Sequence, residues 1–203
     1  APLTEFMARA AKYYKEQLRA SPKAIDYLKG RGLTGEIAAR FGLGYAPDGW
    51  QNLAVVFPDY QNKALVECGL VIEGDAGKRY DRFRDRIMFP ILDSRGNVIG
   101  FGGRVIGQGE PKYLNSPETP LFEKGRELYG LLQARIAIRD EDCVIVVEGY
   151  MDVVALAQHG VGNLAGTTQL YGRNEPGVQY LHQTINRLMK ENHVEGLPLP
   201  HEA

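Results

Sequence analysis

The chain of 203 residues is 44% hydrophobic and 24% charged, which is the balance of a soluble globular protein. No apolar run approaches the roughly 20 residues that cross a bilayer, and residues 1–20 lack the apolar region of a secretory signal, so we expect no membrane association. A net charge of −1 excludes a uniformly basic nucleic-acid-binding protein.

Helical signals occupy the first part of the chain. Apolar residues repeat at helical spacing from Phe6 to Leu18, and Ser21 followed by Pro22 favours the start of a second helix. Thr34 is the expected cap of a third. The predicted helices cover residues 4–19, 22–28, 35–41, 51–57 and 62–68.

From residue 70 the hydrophobic period becomes that of short strands. β-branched and aromatic runs alternate with turn signals rich in glycine and aspartate, which predicts a β meander. The stretch 112–124, with two prolines, is expected to be a loop, and 128–136 a helix. The predicted strands cover residues 70–72, 80–83, 87–92 and 98–106.

Positive charge is concentrated in one segment of this neutral chain. Residues 78–112 contain eight Lys or Arg and four acids, a local charge of +4. Such a patch is typical of a protein that touches phosphates on one face. The alternating charges of residues 81–86 are equally compatible with a solvated strand face, so composition leaves both interpretations open.

Cysteine and histidine usage gives no sign of a structural metal site. Cys68 and Cys143 are far apart, and we expect both to be buried, reduced thiols of a cytosolic protein. Neither has a C-x-x-C partner, and the four histidines show no ligand spacing, so no zinc is expected in this chain.

Residues 143–152 (CVIVVEGYMD) are the most informative stretch. Four β-branched residues, 144–147, predict a buried strand that ends at Glu148; Gly149 then makes a turn into a helix. With Glu148 as the helix cap and Asp152 one turn later, both carboxylates can point toward one position near the start of the helix. Two carboxylates are the kind of ligand that Mg²⁺ prefers. The alternative is that both merely complement the helix dipole.

Seven blocks, taken together and in order, resemble bacterial DnaG-type DNA primases, in particular their RNA polymerase core. The resemblance covers roughly residues 5–168. The matching blocks are 27–33 (YLKGRGL), 41–47 (FGLGYAP), 81–91 (DRFRDRIMFPI), 100–104 (GFGGR), 112–119 (KYLNSPET), 124–130 (KGRELYG) and 146–157 (VVEGYMDVVALA).

The resemblance implies an α+β or α/β chain built from two folding regions. A mixed α/β N-terminal subdomain would span residues 1–135, and the first part of a Toprim (Rossmann-like) domain would span 136–168. Residues 169–203 diverge from the family, and apolar spacing predicts one amphipathic helix over 176–192.

The resemblance also implies a reaction and a set of site residues. A DNA primase is a nucleotidyltransferase that makes RNA primers on single-stranded DNA from NTPs, with Mg²⁺ or Mn²⁺. Glu148 would be catalytic, and Glu148 with Asp152 would form the metal site. The residues implied to bind nucleotide or template are Arg31, Arg82, Arg84, Arg104, Lys112, Tyr113, Asn115 and Lys124.

For Arg104 and for the group around Lys112, the residue types themselves give a physical reason for the implied role. Arg104 follows Gly-Phe-Gly-Gly, expected to be a turn that lets backbone approach a phosphate. Lys112, Tyr113 and Asn115 place an ammonium, a ring and an amide on one expected loop, a set suited to a nucleoside triphosphate or a single strand.

The chain departs from the family pattern after residue 168. A Toprim domain continues to an Asp-x-Asp strand, but residues 169–203 contain no aspartate. The family's zinc-ribbon and helicase-binding modules are also missing from this sequence, although the replicative helicase remains a partner of the family. We therefore expect a piece of a bacterial, cytoplasmic primase: an isolated fragment, a truncated or frameshifted reading frame, or a recombined relative.

The sequence supports two functional hypotheses. The first is a primase core, and the second is a non-catalytic module that binds single-stranded DNA or nucleotides without a complete metal site. A Toprim nuclease is disfavoured, because it has no reason to carry the 81–91 and 112–119 blocks.

Overall fold

The computed structural model of the chain describes residues 1–168 together with Gln183 and Arg187. These residues form two compact units. The first comprises Ala1–Ile91 and Asn97–Phe122, and the second comprises Leu92–Gly96 and the described residues from Glu123 onwards. Among the described residues, no helix is long and apolar enough to cross a membrane.

Four of the five helices predicted for the first unit form, each beginning within one residue of its predicted start. The side chains of Ser21 and Thr34 each accept a hydrogen bond from an amide three residues later, which satisfies a free donor of the first turn. The residues predicted as helix 51–57 form only a 3-10 turn, Asn52–Val55. The α-helices are α1 (Leu3–Ala20), α2 (Pro22–Gly30), α3 (Gly35–Arg40) and α4 (Lys63–Glu67).

A four-stranded sheet lies against α1. Its strands are β1 (Gly44–Ala46), β4 (Arg86–Leu92), β5 (Val98–Val105) and β6 (Tyr113–Asn115), in that order, and two further strands, β2 (Val71–Glu73) and β3 (Arg79–Asp81), form a separate hairpin. The predicted meander is thus confirmed for β4 and β5, which are neighbours in this sheet, whereas β2 and β3 form a two-stranded sheet of their own. The predicted loop at 112–124 was wrong for 113–115, which pair with β5 in antiparallel register.

The core of the first unit lies between α1 and the sheet. Tyr14 on α1 packs edge-on against Phe101 of β5, with ring centroids 5.4 Å apart, and Phe83 packs against the same ring at 6.2 Å. A Cβ atom on Gly44 of β1 would lie 2.6 Å from Cβ of Tyr14, so only glycine allows this approach of strand and helix.

A buried carboxylate joins the hairpin to this core. Asp81 is 2% exposed; it accepts hydrogen bonds from the Tyr60 hydroxyl at 2.6 Å and from the Leu53 amide at 3.1 Å. Burial raises the pKa of Asp81 to about 6, although these hydrogen bonds and the charge of Arg84 act in the opposite direction. The cost of removing the charged carboxylate from water therefore outweighs the hydrogen bonds and the charge of Arg84, and the pKa rises.

We predict that Asp81 makes the chain less stable as the pH rises. Its pKa is higher in the folded state than in the unfolded chain, so its contribution is complete below pH 4 and is lost as the pH rises through 6. A shift of this size corresponds to about 3 kcal/mol. Urea unfolding at pH 4 and at pH 8 measures the free energy of unfolding of the parent and of Asp81→Asn. The value for the parent minus the value for the variant should be lower at pH 8 than at pH 4 by about 3 kcal/mol. An equal pH dependence in both proteins would contradict the assignment.

The second unit contains a strand–helix–strand element. β8 (Ile145–Val147) and β9 (Leu164–Thr167) are parallel, and α6 (Tyr150–Gln158) connects them. The remaining elements are β7 (Leu128–Tyr129), which pairs antiparallel with β9, and α5 (Leu131–Glu141).

Two predictions for the second unit need correction. The helix predicted for 128–136 begins only at Leu131, because the preceding residues pair with β9 and Gly130 turns in the left-handed conformation. The strand predicted as buried is an edge strand among the described residues, and Ile145 is 44% exposed. Nothing in the described sheet pairs with the outer side of β8.

The compact units divide earlier than the predicted boundary at residue 135. Leu131, Ala134 and Ile138 of α5 form a core with Ala165 of β9, so α5 packs as part of the second unit. The helix predicted over 176–192 lies outside the described residues except for Gln183 and Arg187.

The two cysteines are both free, but only one is buried. Cys68 is 1% exposed in the core of the first unit, as predicted. Cys143 is exposed, because it precedes the edge strand β8 and is not covered by a further strand among the described residues.

Candidate nucleic-acid interface and metal site

Two arginines and two tyrosines alternate on one side of the first unit. The guanidinium carbon of Arg31 lies 5.5 Å from the Tyr27 ring centroid, and that of Arg104 lies 6.0 Å from the same ring. Arg104 also lies 5.4 Å from the ring of Tyr113, its register partner on β6. Such contacts hold the cationic groups in place next to flat apolar surfaces.

The setting of Arg104 differs from the prediction. The glycines before it are in the middle of β5 and not in a turn, and Arg104 is only 8% exposed, with its Nη1 donating to the Val105 carbonyl at 2.8 Å. Gly103 leaves room for neighbouring side chains, since a Cβ atom there would lie 2.9 Å from Cδ1 of Phe83. These glycines therefore serve packing within the sheet.

Lys112 and Tyr113 are the exposed members of the β6 segment. The backbone of this segment is held by arginines: Arg82 donates from Nε and Nη2 to the Asn115 carbonyl at 3.1 and 2.7 Å. Arg86, which is buried, donates to the carbonyls of residues 103, 111 and 112. Arg82 thus has a structural bond, and burial lowers its pKa from the usual arginine value.

A second stack of a cation and rings lies in the same unit. The guanidinium carbon of Arg84 is 4.1 Å from the centroid of Trp50 and 5.5 Å from that of Tyr80. Trp50 is the single tryptophan of the chain and is 64% exposed. An exposed indole beside a fixed guanidinium is a surface on which a base can stack.

A pocket of about 410 Å³ connects these arginines to β6. Arg82, Arg84 and Arg86 line it together with Leu114 and residues 107–111. Its lining also includes three acids, Asp48, Asp85 and Glu110. The pocket is therefore mixed in charge, with three arginines and three acids in its lining.

Asp85 fixes the turn between Arg84 and Arg86. It has a positive φ of 52° and accepts hydrogen bonds from Lys23 at 2.7 Å and Tyr45 at 2.6 Å. Burial alone would raise the pKa of Asp85, but the bonds from Lys23 and Tyr45 outweigh it and lower the pKa. The alternating charges of 81–86 are thus largely partnered within the protein, and Arg84 remains stacked on rings.

In the second unit, Glu148 stands directly after β8 and is exposed. Gly149, and not Glu148 as predicted, is the N-cap residue of α6. The Asp152 carboxylate folds back toward this turn, because its Oδ2 lies 2.8 Å from where a Cβ atom on Gly149 would be. Both carboxylates thus belong to the β8–α6 turn, at the carboxyl end of the parallel strands.

Hydrogen bonds of the residues that follow Lys124 hold its segment at the same end of the small sheet. The Gly125 amide donates to Oγ1 of Thr168 at 3.2 Å, and that hydroxyl donates to the Glu127 carbonyl at 3.0 Å. Because Val147 is the register partner of residue 166, the residues after β8 and β9 leave the sheet side by side. The structure therefore brings the backbone at Lys124 and the β8–α6 turn to the same end of the small sheet.

These residues fit a magnesium ion as a partial ligand set. Within the described residues, no group of three or more His, Cys, Asp or Glu could hold a metal ion. Mg²⁺ keeps several waters and uses one or two carboxylates with substrate phosphates, which is what the exposed pair Glu148 and Asp152 can offer.

The sequence matches a family model described as the DNA primase catalytic core, N-terminal domain, over residues 13–135. A DNA primase of Pseudomonas aeruginosa is 59% identical over 172 residues, which cover 82% of this chain and 26% of the relative. The chain belongs to the DNA primase family. It spans about a quarter of the length of this curated primase.

Solved primase structures share the fold. A DNA primase domain from Pseudomonas aeruginosa superposes with a TM-score of 0.82 at 53% identity, covering 93% of this chain and 58% of that domain. A DnaG primase catalytic domain bound to single-stranded DNA superposes with a TM-score of 0.81 at 43% identity, covering 93% and 60%. The mixed α/β architecture expected from the resemblance is therefore confirmed.

Contacts connect most of the predicted binding residues of this primase chain. Arg31, Arg104 and Tyr113 share the first stack, Asn115 bonds to Arg82, and Arg82 lines the pocket with Arg84. Sequence reasoning did not find Tyr27 or Trp50, although a lone tryptophan in a turn-rich segment was an available signal. We call the set Tyr27, Arg31, Trp50, Arg82, Arg84, Arg104, Lys112, Tyr113 and Asn115 the basic surface.

Proposed function

We propose that this chain is the part of a DNA primase that holds the template and carries the catalytic glutamate. In this proposal it takes part in the synthesis of RNA primers from NTPs on single-stranded DNA. The observation that carries the proposal is the basic surface, with its alternating cations and rings, in a chain of the primase family. We place residues 1–135 in the family's N-terminal subdomain, on the family-model match over 13–135, and 136–168 at the beginning of a Toprim domain; α5 crosses this boundary and packs in the second unit.

Template binding would use the exposed members of the basic surface. A base can stack on Trp50, which Arg84 supports from one side, and Lys112 can neutralise a phosphate. Arg104 is too buried to provide much contact area, so its main role would be to hold the rings of Tyr27 and Tyr113. The positive field of the four exposed or half-exposed cations, Arg31, Arg82, Arg84 and Lys112, would attract the strand.

Nucleotidyl transfer would take place at the β8–α6 turn. When Mg²⁺ is bound, it would lower the pKa of the attacking hydroxyl and neutralise charge on the triphosphate. Glu148 would hold that ion or accept the hydroxyl proton, and Asp152, folded back over Gly149, would orient the site. Lys124 would neutralise phosphate charge from the neighbouring segment. Mn²⁺ would serve in place of Mg²⁺.

The cellular location and the protein partner that we propose follow from the action of primases on a DNA template. We propose a cytoplasmic location at the bacterial nucleoid and, for the complete primase, an interaction with the replicative helicase. Both parts of the proposal rest on the membership in the primase family.

A second function is favoured by one observation. Glu148 and Asp152 are not joined by a third carboxylate, histidine or cysteine in the described part of the chain. A chain with an incomplete metal site would bind single-stranded DNA or nucleotides without catalysis.

A primer-synthesis assay on the purified chain separates the two functions. It would contain a single-stranded template, four NTPs and either Mg²⁺ or Mn²⁺. Products of two or more nucleotides support the catalytic proposal. Binding of the template without product supports the binding module, and absence of both contradicts the proposed function.

We predict that Lys112→Ala and Arg104→Ala each weaken binding of single-stranded DNA by about 1–3 kcal/mol, the scale of charge-assisted contacts. The first change removes an exposed cation, and the second releases two stacked rings. Fluorescence anisotropy with a labelled oligonucleotide measures the affinity. Lys63→Ala, at an exposed lysine of α4 outside the basic surface, is the control. Equal affinity of Lys112→Ala and the parent would remove Lys112 from the interface.

A further inference from the structure

A pocket of about 320 Å³ lies among α1, α2 and α3 of the first unit, apart from the basic surface. Its apolar wall includes four leucines that are at most 8% exposed: Leu18, Leu28, Leu33 and Leu43. A concave apolar site of this size is at the small end of ligand pockets, which begin at roughly 300 Å³. It can take one large side chain.

Three cations surround this apolar wall. Lys15, Arg19 and Lys29 line the pocket, and all three are exposed. Among the described residues that line it, there is neither a carboxylate nor an aromatic ring. Glu16, on the same helix as two of the cations, is exposed but does not belong to the lining. The entrance therefore has a positive charge that the pocket itself does not neutralise.

We propose that this pocket docks an acidic peptide segment of a partner protein. One large apolar side chain of the peptide would enter among the leucines, and flanking carboxylates would pair with Lys15, Arg19 and Lys29. Apolar burial would supply affinity, and the charges would select the partner.

The lining favours a peptide over a nucleic acid. Bases bind single-strand-binding surfaces by stacking on rings, and the aliphatic lining offers none among the described residues. The exposed rings of Trp50 and Tyr113 belong instead to the basic surface described above. The docking site is independent of the proposed catalytic function.

The test uses a fluorescein-labelled heptapeptide that has one central phenylalanine flanked on each side by three Asp or Glu. We expect saturable binding to the chain. Two matched probes, with serine in place of phenylalanine or lysine in place of the acids, should each bind at least about tenfold more weakly. A flat titration, or equal binding of the three probes, would overturn the proposal.

Variants locate the site. Ala39→Trp fills the pocket from an exposed position on α3, and Arg19→Glu with Lys29→Glu reverses two of the cations; each should reduce peptide affinity at least about tenfold. Lys12→Glu with Lys63→Glu makes the same change in net charge outside the pocket and should leave affinity unchanged. Equal loss in this control, or displacement of the peptide by oligo-dT, would overturn the proposal.

Discussion

Primer synthesis by the chain is expected to fall at least about 100-fold in Glu148→Gln, the lower end of what a positioned acid or base contributes. The amide keeps the size of the side chain but can neither accept the hydroxyl proton nor offer a charged ligand to a cation. Glu148 is exposed and follows an edge strand, so the folded structure should be unaffected. The readout is product formation on a single-stranded template with Mg²⁺ or Mn²⁺.

Two further measurements separate catalysis from structure. Mn²⁺ affinity should fall in Glu148→Gln, while affinity for single-stranded DNA should stay nearly unchanged, because the basic surface belongs to the other unit. Glu141→Gln, at an exposed glutamate that ends α5, is the matched control and should lose neither activity nor metal affinity. A large loss of DNA binding in Glu148→Gln would show that the residue is structural.

Replacing Gly44 with alanine should lower the free energy of unfolding by about 3 kcal/mol, the upper range for overpacking a filled core. The added methyl would lie 2.6 Å from Cβ and 2.8 Å from the backbone carbon of Tyr14. A backbone atom of a helix cannot move aside as the end of a flexible side chain can. Either α1 shifts from β1 or the contact between Tyr14 and Phe101 is lost.

Urea unfolding measures this effect through the midpoint at constant slope. Gly30→Ala is the matched control, because Gly30 ends α2 and has no neighbouring atom within 4 Å of an added Cβ. We expect that control to be neutral or more stable by up to about 1 kcal/mol, since alanine is the better helix former. Similar midpoints for the parent and Gly44→Ala would show that the strand and helix can separate without cost.

Local signals were read correctly where the cause lies within a few residues. Ser21 and Thr34 cap helices because their side chains satisfy amides three residues away. Within the run 144–147, Ile145–Val147 form a strand and Gly149 caps the helix after it, since β-branched residues and a glycine act at short range. The order of the blocks also identified the family, which the comparisons confirm.

Long-range pairing explains the errors. Residues 113–115 looked like a loop, yet they form a strand because β5 offers hydrogen-bonding partners about ten residues away. The glycines before Arg104 looked like a turn, yet they are strand residues that make room for Phe83. In both cases a partner distant in sequence decided the conformation.

The sequence by itself determined α2 and α3 with their caps, the strand–turn–helix around Glu148 and the membership in the primase family. Only the tertiary structure decided that Arg104 is buried between rings, that Trp50 supports Arg84 and that β8 is an edge strand among the described residues. The physical reason is range: capping and backbone preference act within one turn of chain, whereas burial and stacking depend on atoms that only folding brings together.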